Sequence, residues 1–96
     1  MMNWGEQVLR LNPHMPPTTR GLVHAISKFF ATHAHARCQF YDSEAAALLG
    51  ISGEQLRQAK YELLRKHYLC ELPARGNGKP TYGLRLGAKA KDNEAA

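Results

Sequence analysis

The chain has 96 residues and a net charge of +5, with 13 Lys and Arg against 8 Asp and Glu. One domain of this size holds only a small core, which argues against the deep cleft of a large enzyme. No run of 18 or more apolar residues is present, so we expect no membrane-spanning helix. The amino terminus lacks the basic start and long apolar run of a secretion signal, so we expect a cytoplasmic protein with reduced cysteines.

The basic residues are concentrated in the second half of the chain. Residues 53–91 contain nine Lys or Arg and three acids, whereas residues 1–52 contain four and three. A surface that binds phosphates requires such a local excess. The excess alone is weak support, because membranes and acidic proteins also attract basic proteins.

A short first helix is predicted from Asn3 to Leu11. Asn3 has the side chain of an N-cap, and Trp4, Val8 and Leu11 recur on one side of the helix. Three prolines follow within a few residues and cannot continue a helix. We interpret residues 1–17 as an N-terminal helix and Pro-rich linker. Packing of this helix on the core is favoured over its use in a homodimer.

The next helix is predicted to be the hydrophobic support of the domain. Thr18 or Thr19 is predicted as its N-cap, and its helical pattern covers Leu22–Ala34. Its apolar side recurs at helical spacing. The residues of this side are Leu22, Val23, Ile26, Phe29, Phe30 and His33. After the helix, Cys38–Tyr41 has strand propensity and is predicted to add a short third strand to a sheet.

A second short helix is predicted over Ser43–Gly50. Asp42 or Ser43 supplies the oxygen side chain of its N-cap. Gly50 is the residue type that most readily takes the left-handed conformation at a helix end. Ile51 is expected to fill the turn that follows.

A longer helix, Ser52–His67, begins after this turn, with Ser52 and Gln55 at the spacing of a capping box. At 100° per residue its side chains divide into two faces. The face predicted to be buried carries Leu56, Ala59, Lys60, Leu63, Leu64 and His67, with the ammonium of Lys60 extending past its edge. The opposite face carries Glu54, Arg57, Gln58, Tyr61, Glu62 and Arg65.

Two strands are predicted near the end of the chain, at Tyr68–Leu72 and Pro80–Leu86. One face of the second strand carries Tyr82, Leu84 and Leu86. The connecting stretch, PARGNGK, is a Gly- and Pro-rich hairpin tip that bears Arg75 and Lys79.

This order of helix, helix–turn–helix and basic hairpin resembles the winged helix-turn-helix family of DNA-binding domains. The resemblance rests on Ser43–Gly50, Ile51, Ser52–His67 and the tip from Arg75 to Lys79, with Leu22–Ala34 as the first helix. It implies an α+β, mostly α fold, in which residues 18–86 form a three-helix core and a short β-hairpin wing. Residues 87–96 are expected to be a disordered tail.

The resemblance implies sequence-specific binding of double-stranded DNA, with the helix Ser52–His67 in the major groove. Base-edge contacts are expected from Arg57, Gln58 and Tyr61. Phosphate contacts are expected from Ser43, Ser52, Lys60, Arg65 and Lys66. Wing contacts to an adjacent minor groove or its phosphates are expected from Arg75 and Lys79.

The role that fits such a small domain is a transcriptional regulator, or a DNA-binding accessory factor of a mobile element of the phage or plasmid type. The main alternative is a winged-helix module that binds a partner protein and not DNA. An exposed apolar patch around Trp4, Val8 and Leu11 would favour that alternative. RNA binding is weaker, because the aromatic residues do not cluster into a stacking platform.

No motif of catalysis or cofactor binding is present. His33, His35 and Cys38 form H-x-H-x-x-C, with Cys70 as a fourth ligand type for zinc, but a second spaced pair is absent and a metal site is disfavoured. GNGKPT does not match a nucleotide-binding loop, because Pro73 stands where the first glycine is needed and Pro80 stands where a Ser or Thr must directly follow Gly-Lys. We expect a non-enzymatic protein without cofactors.

Overall fold

The computed structural model describes residues 3–32, 36–75 and 78–87, without the side chains of Thr32 and Arg75. These residues form an α+β fold, mostly helical, with four α-helices and a small antiparallel sheet. The helices are α1 (Trp4–Leu11), α2 (Pro17–Ala25), α3 (Asp42–Leu49) and α4 (Gly53–Arg65). The strands are β1 (Ala31–Thr32), β2 (Arg37–Gln39), β3 (Leu69–Arg75) and β4 (Lys79–Leu84). The tail predicted to be disordered lies outside the described residues after Gly87.

The helix α1 occupies the predicted segment. The side chain of Asn3 accepts a hydrogen bond from the Glu6 backbone N–H at 2.8 Å, so the predicted N-cap is confirmed. Val8 is fully buried, but Leu11 is 61% exposed. The predicted apolar side of α1 is therefore wrong for Leu11, because the last turn of the helix extends past the core.

Trp4 attaches α1 to the end of the sheet. Its indole Nε1–H donates to the backbone carbonyl of Arg85 at 2.8 Å and to that of Tyr68 at 3.2 Å. Asn12 adds a hydrogen bond from its amide to the Tyr68 hydroxyl at 2.8 Å. These contacts span most of the chain, and they support packing of α1 on the core.

The helix α2 begins one residue before the predicted caps. Pro17 is its first residue and Pro16 is the N-cap, with no side-chain hydrogen bond at that position. The proposed caps Thr18 and Thr19 are both inside the helix, and Thr19 is buried. Proline suits the first helical position, because the N–H that it lacks has no partner there and its φ angle is already helical.

A π-helical turn, Ile26–Phe30, follows α2 and leads into β1. The described residues therefore contradict an α-helix that runs unbroken to Ala34. A π turn has a wider repeat than an α-helix, so it moves the following side chains out of phase. Phe29 is 58% exposed, whereas Phe30 packs against the core with its ring centroid 5.2 Å from that of Phe40.

The sheet has the strand order β1–β2–β4–β3, and each neighbouring pair is antiparallel. The predicted third strand is present as β2, which pairs Cys38 with Tyr82 of β4. It covers Arg37–Gln39 and so ends before Tyr41. A strand between α2 and α3, beside a hairpin that follows α4, is compatible with a winged-helix layout.

The hairpin of β3 and β4 has a longer first strand and a shorter turn than predicted, whereas β4 begins one residue earlier and ends two residues earlier than predicted. β3 continues past Leu72 to Arg75, which pairs with Lys79, so only residues 76–78 connect the strands. The register shifts between Leu72 and Arg75, where Pro73 has no N–H to donate to the ladder.

The core lies between the helices and one face of the sheet. The fully buried large side chains are Phe40, Leu22, Ile26, Leu56, Leu63, Leu69, Val8, Val23 and Cys38. The ring of Phe40 stacks on that of Tyr82, with centroids 5.0 Å apart. Leu86 follows the end of β4 and is 40% exposed, so its predicted place beside Tyr82 is wrong.

We predict that Trp4→Phe lowers the free energy of unfolding by roughly 1–2 kcal/mol. The substitution retains an aromatic ring but removes the donor to two partly buried carbonyls. Urea denaturation followed by circular dichroism measures the change. Leu11→Ala on the same helix is the control, and we expect a change below about 0.5 kcal/mol because Leu11 is exposed. Equal effects of the two substitutions would contradict a specific role of the indole N–H.

Candidate nucleic-acid interface

The helix α3 begins with Tyr41 as its N-cap residue. The predicted caps, Asp42 and Ser43, both lie inside the helix, so that prediction is wrong. The carboxylate of Glu44 closes the amino end instead, because it accepts a hydrogen bond from the Tyr41 backbone N–H at 2.8 Å. This hydrogen bond, together with the ammonium of Lys79, holds the pKa of Glu44 below its ordinary value.

The turn between α3 and α4 has the predicted features. Gly50 adopts a left-handed conformation with φ of +66°, and the Ile51 N–H bonds the Ala46 carbonyl at 3.1 Å. The Ser52 hydroxyl accepts from the Gln55 N–H at 3.1 Å, and the Gln55 side chain accepts from the Ser52 N–H at 3.0 Å. The capping box is confirmed, and it sets the direction in which α4 leaves the turn.

The inner face of α4 packs as predicted for Leu56, Ala59 and Leu63, which are buried. The helix ends at Arg65, and His67 adopts a left-handed conformation with φ of +63°. Backbone N–H groups of residues 67 and 68 bond the carbonyls of residues 64 and 63, the pattern of a Schellman motif. The prediction that α4 extends to His67 is therefore wrong.

The outer face of α4 presents the three residues predicted to read base edges. Arg57, Gln58 and Tyr61 lie within two turns of one another and are exposed, with Tyr61 exposed to 66%. Their side chains make no hydrogen bond or ion pair with the part of the chain that the structure describes. The guanidinium, the amide and the phenol are therefore available to an external partner.

The Lys60 side chain is partly buried, with an exposure of 18%, and its ammonium is bound within the fold. Its ammonium donates to the Asp42 carboxylate at 2.7 Å and to the Tyr82 hydroxyl at 3.3 Å. Burial alone would lower the pKa of Lys60, but the hydrogen bonds to Asp42 and Tyr82 raise it above its ordinary value. Lys60 thus joins α4 to α3 and to β4, a geometry unfavourable for the predicted phosphate contact.

The other residues assigned to phosphates lie on the surface. Ser43, Ser52, Arg65 and Lys66 are exposed. The Lys66 ammonium is 3.5 Å from the Glu62 carboxylate one turn earlier, a loose surface pair that costs little to break. These four side chains remain compatible with contact to a phosphate backbone.

Of the two residues predicted in the wing, Lys79 is paired with a residue of α3, and the side chain of Arg75 is not described. The Lys79 ammonium is 2.9 Å from the Glu44 carboxylate and 5.6 Å from the centroid of the Tyr41 ring. Lys79 therefore joins the turn end of the hairpin to α3. Arg75 pairs with Lys79 across the hairpin, and Gly76 and Asn77 of the predicted tip lie outside the described residues.

The ion pairs of Lys60 and Lys79 could not be predicted from the sequence. Their partners are distant along the chain, and helical spacing indicates only which face a lysine occupies. The capping role of Glu44, in contrast, has a signal in the sequence, because an acid at the third position of a short helix is typical of a capping box.

The two cysteines occupy opposite faces of the sheet. Cys38 pairs with Tyr82 and Cys70 with Gly83, and adjacent residues of a strand point to opposite faces. Burial raises the pKa of the Cys38 thiol to about 12, which disfavours the thiolate that zinc requires. His33 and His35 lie outside the described residues. Within the described part of the chain, no group of three or more His, Cys, Asp or Glu could hold a metal ion.

Comparison of the chain with protein-family models, curated protein sequences and solved structures finds no match. Among residues 3–32, 36–75 and 78–87, no helix has the length and apolar character needed to cross a membrane.

We predict that Lys60→Met lowers the free energy of unfolding by roughly 1–3 kcal/mol, because Asp42 and Tyr82 lose their charged partner. Lys66→Met, near the end of the same helix, is the matched control and should change stability by less than about 0.5 kcal/mol. Chemical denaturation of the two variants and the unsubstituted protein gives both values.

The stabilisation by Lys60 should also depend on pH. A pKa raised by folding means that the contribution is fully present below the ordinary value of 10.5 and is lost as the pH rises through the folded value. The stability difference between the unsubstituted protein and Lys60→Met should therefore shrink above pH 10.5. A difference that stays constant to strongly alkaline pH would show that the ammonium is not the stabilising group.

Proposed function

We propose that this chain is a winged helix-turn-helix domain that binds double-stranded DNA in a sequence-specific manner, as a small transcriptional regulator or a DNA-binding accessory factor of a mobile element. The observation that carries the proposal is the outer face of α4. Its Arg57, Gln58 and Tyr61 are exposed and have no partner among the described residues. Such donors on an exposed helix suit hydrogen bonds to base edges in a major groove.

The arrangement of the elements supports this use of α4. The capping box at Ser52 and the bridge from Lys60 to Asp42 fix α4 against α3, while the inner face of α4 is buried. A helix that is fixed against the core and exposed on one side can enter a groove without a change in its backbone. The hairpin of β3 and β4 packs next to α4, so in our proposal it would approach the DNA backbone beside the groove that α4 enters.

The charges near α4 also support the proposal. Both acids of α3 are paired with lysines: Asp42 with Lys60, and Glu44 with Lys79. Neutralised acids oppose an approaching phosphate backbone less than free ones would. Arg57 and Arg65 of α4 have no such partner among the described residues, so their positive charges are available to a phosphate or a base. In our proposal, Arg65 and Lys66 contact phosphates, together with Ser43 and Ser52.

The apolar patch that would favour the alternative, a module that binds a partner protein, does not form around Trp4, Val8 and Leu11. Val8 is buried and Trp4 is partly buried with its N–H bonded, so only Leu11 of that predicted patch is prominently exposed. One exposed leucine is ordinary on a protein surface and does not by itself indicate an interface.

We predict that Arg57→Ala weakens binding to a selected DNA site by roughly 1–3 kcal/mol and affects unrelated duplexes much less. The reason is that a guanidinium on a base edge discriminates between sequences, whereas one on a phosphate does not. Fluorescence anisotropy with selected and scrambled duplexes, at two salt concentrations, measures both affinities. The site itself comes from selection of bound sequences out of a random duplex pool.

Lys28→Ala is the charge-matched control, since Lys28 is exposed and lies in the groove beside α1. It removes one positive charge and should leave the preference between the two duplexes unchanged. An equal loss of affinity on both duplexes for Arg57→Ala would identify Arg57 as a phosphate contact. Absence of salt-sensitive DNA binding by the unsubstituted protein would refute the proposed function.

A further inference from the structure

The outer side of α4 contains an open notch of about 420 Å³. It is bounded by Glu54, Arg57, Gln58, Lys60, Tyr61 and Leu64. All six residues belong to α4, so the notch is a depression along one helix and not a crevice between elements. A depression of this kind can receive a group that projects from a surface laid against the helix.

The inner part of the notch is apolar and held in place by the fold. Leu64 is partly buried and packs against the hydrophobic core. Lys60 lines the notch, and its ammonium is bound by Asp42 and Tyr82, neither of which lines it. The ring of Tyr61, exposed to 66%, forms the outer wall.

The rim of the notch is polar. Arg57 can donate two hydrogen bonds to a guanine edge, and Gln58 can pair with an adenine edge. If Arg57 or Gln58 binds a base edge, the notch faces the neighbouring base pair. The apolar group that natural DNA displays in its major groove is the methyl group on C5 of thymine.

We propose that the notch between Tyr61, Lys60 and Leu64 receives the C5-methyl group of a thymine that neighbours the base read by Arg57 or Gln58. This inference rests on the proposed DNA binding and adds a specificity determinant to it. The same methyl chemistry occurs on 5-methylcytosine, and the experiment separates the two sources.

The effect should be modest and local. Removal of one buried methyl-sized group corresponds to about a fourfold loss of affinity. Replacement of thymine by uracil removes that methyl group and leaves the hydrogen-bonding groups of the base unchanged. We therefore expect uracil at one or two positions of the site to weaken binding about fourfold, and uracil elsewhere to have little effect.

The experiment uses the full chain and two random duplex pools, one with thymine and one with uracil in its place. The motif selected from the thymine pool is then made as a set of duplexes with one thymine at a time replaced by uracil. A parallel set carries 5-methylcytosine in place of single cytosines. Anisotropy gives the ratio of the Kd values for the modified and unmodified duplexes.

Leu64→Ala and Tyr61→Ala test whether the notch is responsible. Each removes one apolar wall, and the ratio for the sensitive position should fall from about four to about one in both variants. Tyr61 is exposed, so Tyr61→Ala tests the ratio even if Leu64→Ala folds poorly. Leu11→Ala, an exposed leucine on α1, is the matched control and should keep the ratio of the unsubstituted protein.

The outcomes separate the inference from the proposed function. A uracil effect that disappears in the notch variants supports the inference. Sequence-specific, salt-sensitive binding with no uracil effect overturns it while the proposed function stands. A gain on 5-methylcytosine without a uracil effect overturns the assignment to thymine. No binding to either pool removes the proposed function and the inference together.

Discussion

The geometry of the candidate interface depends on the hydrogen bonds that the ammonium of Lys60 makes. The ammonium joins α4 to α3 through Asp42 and to β4 through Tyr82. The ring of Tyr82 stacks on the buried ring of Phe40, so the polar bridge continues into the aromatic part of the core. An ion pair between partly buried groups is directional in a way that apolar packing is not. It therefore restrains the rotation of α4 about its own axis, which decides which side chains face outward.

The features that the sequence predicts correctly are those determined by neighbouring residues. The N-cap at Asn3, the left-handed Gly50 and the capping box of Ser52 and Gln55 each need only a few adjacent positions. The assignment of Leu56, Ala59 and Leu63 to the buried face follows from helical spacing, and it holds while the helix stays α-helical.

The errors occur where the backbone departs from regular geometry or where distant residues meet. The π turn changes the phase of Phe29 and Phe30, and no pattern of apolar residues reveals such a turn. The left-handed His67 ends α4 early, although histidine is not the residue usually expected there. Asp42 has a suitable side chain for an N-cap but pairs with Lys60 instead, and that competition depends on the folded chain.

A count of basic residues overstates the charge that is available to a partner. Lys60 and Lys79 are paired with carboxylates of α3, whereas Arg57 and Tyr61 have no partner among the described residues. In the proposed function, the partner of α4 offers hydrogen-bond acceptors to the guanidinium and an apolar group to the phenol ring. The DNA major groove presents both on adjacent base pairs, and its phosphates would neutralise Arg65 at the end of the helix. A protein partner would have to combine apolar contacts with an acidic rim at the same spacing, which makes DNA the simpler match to this surface.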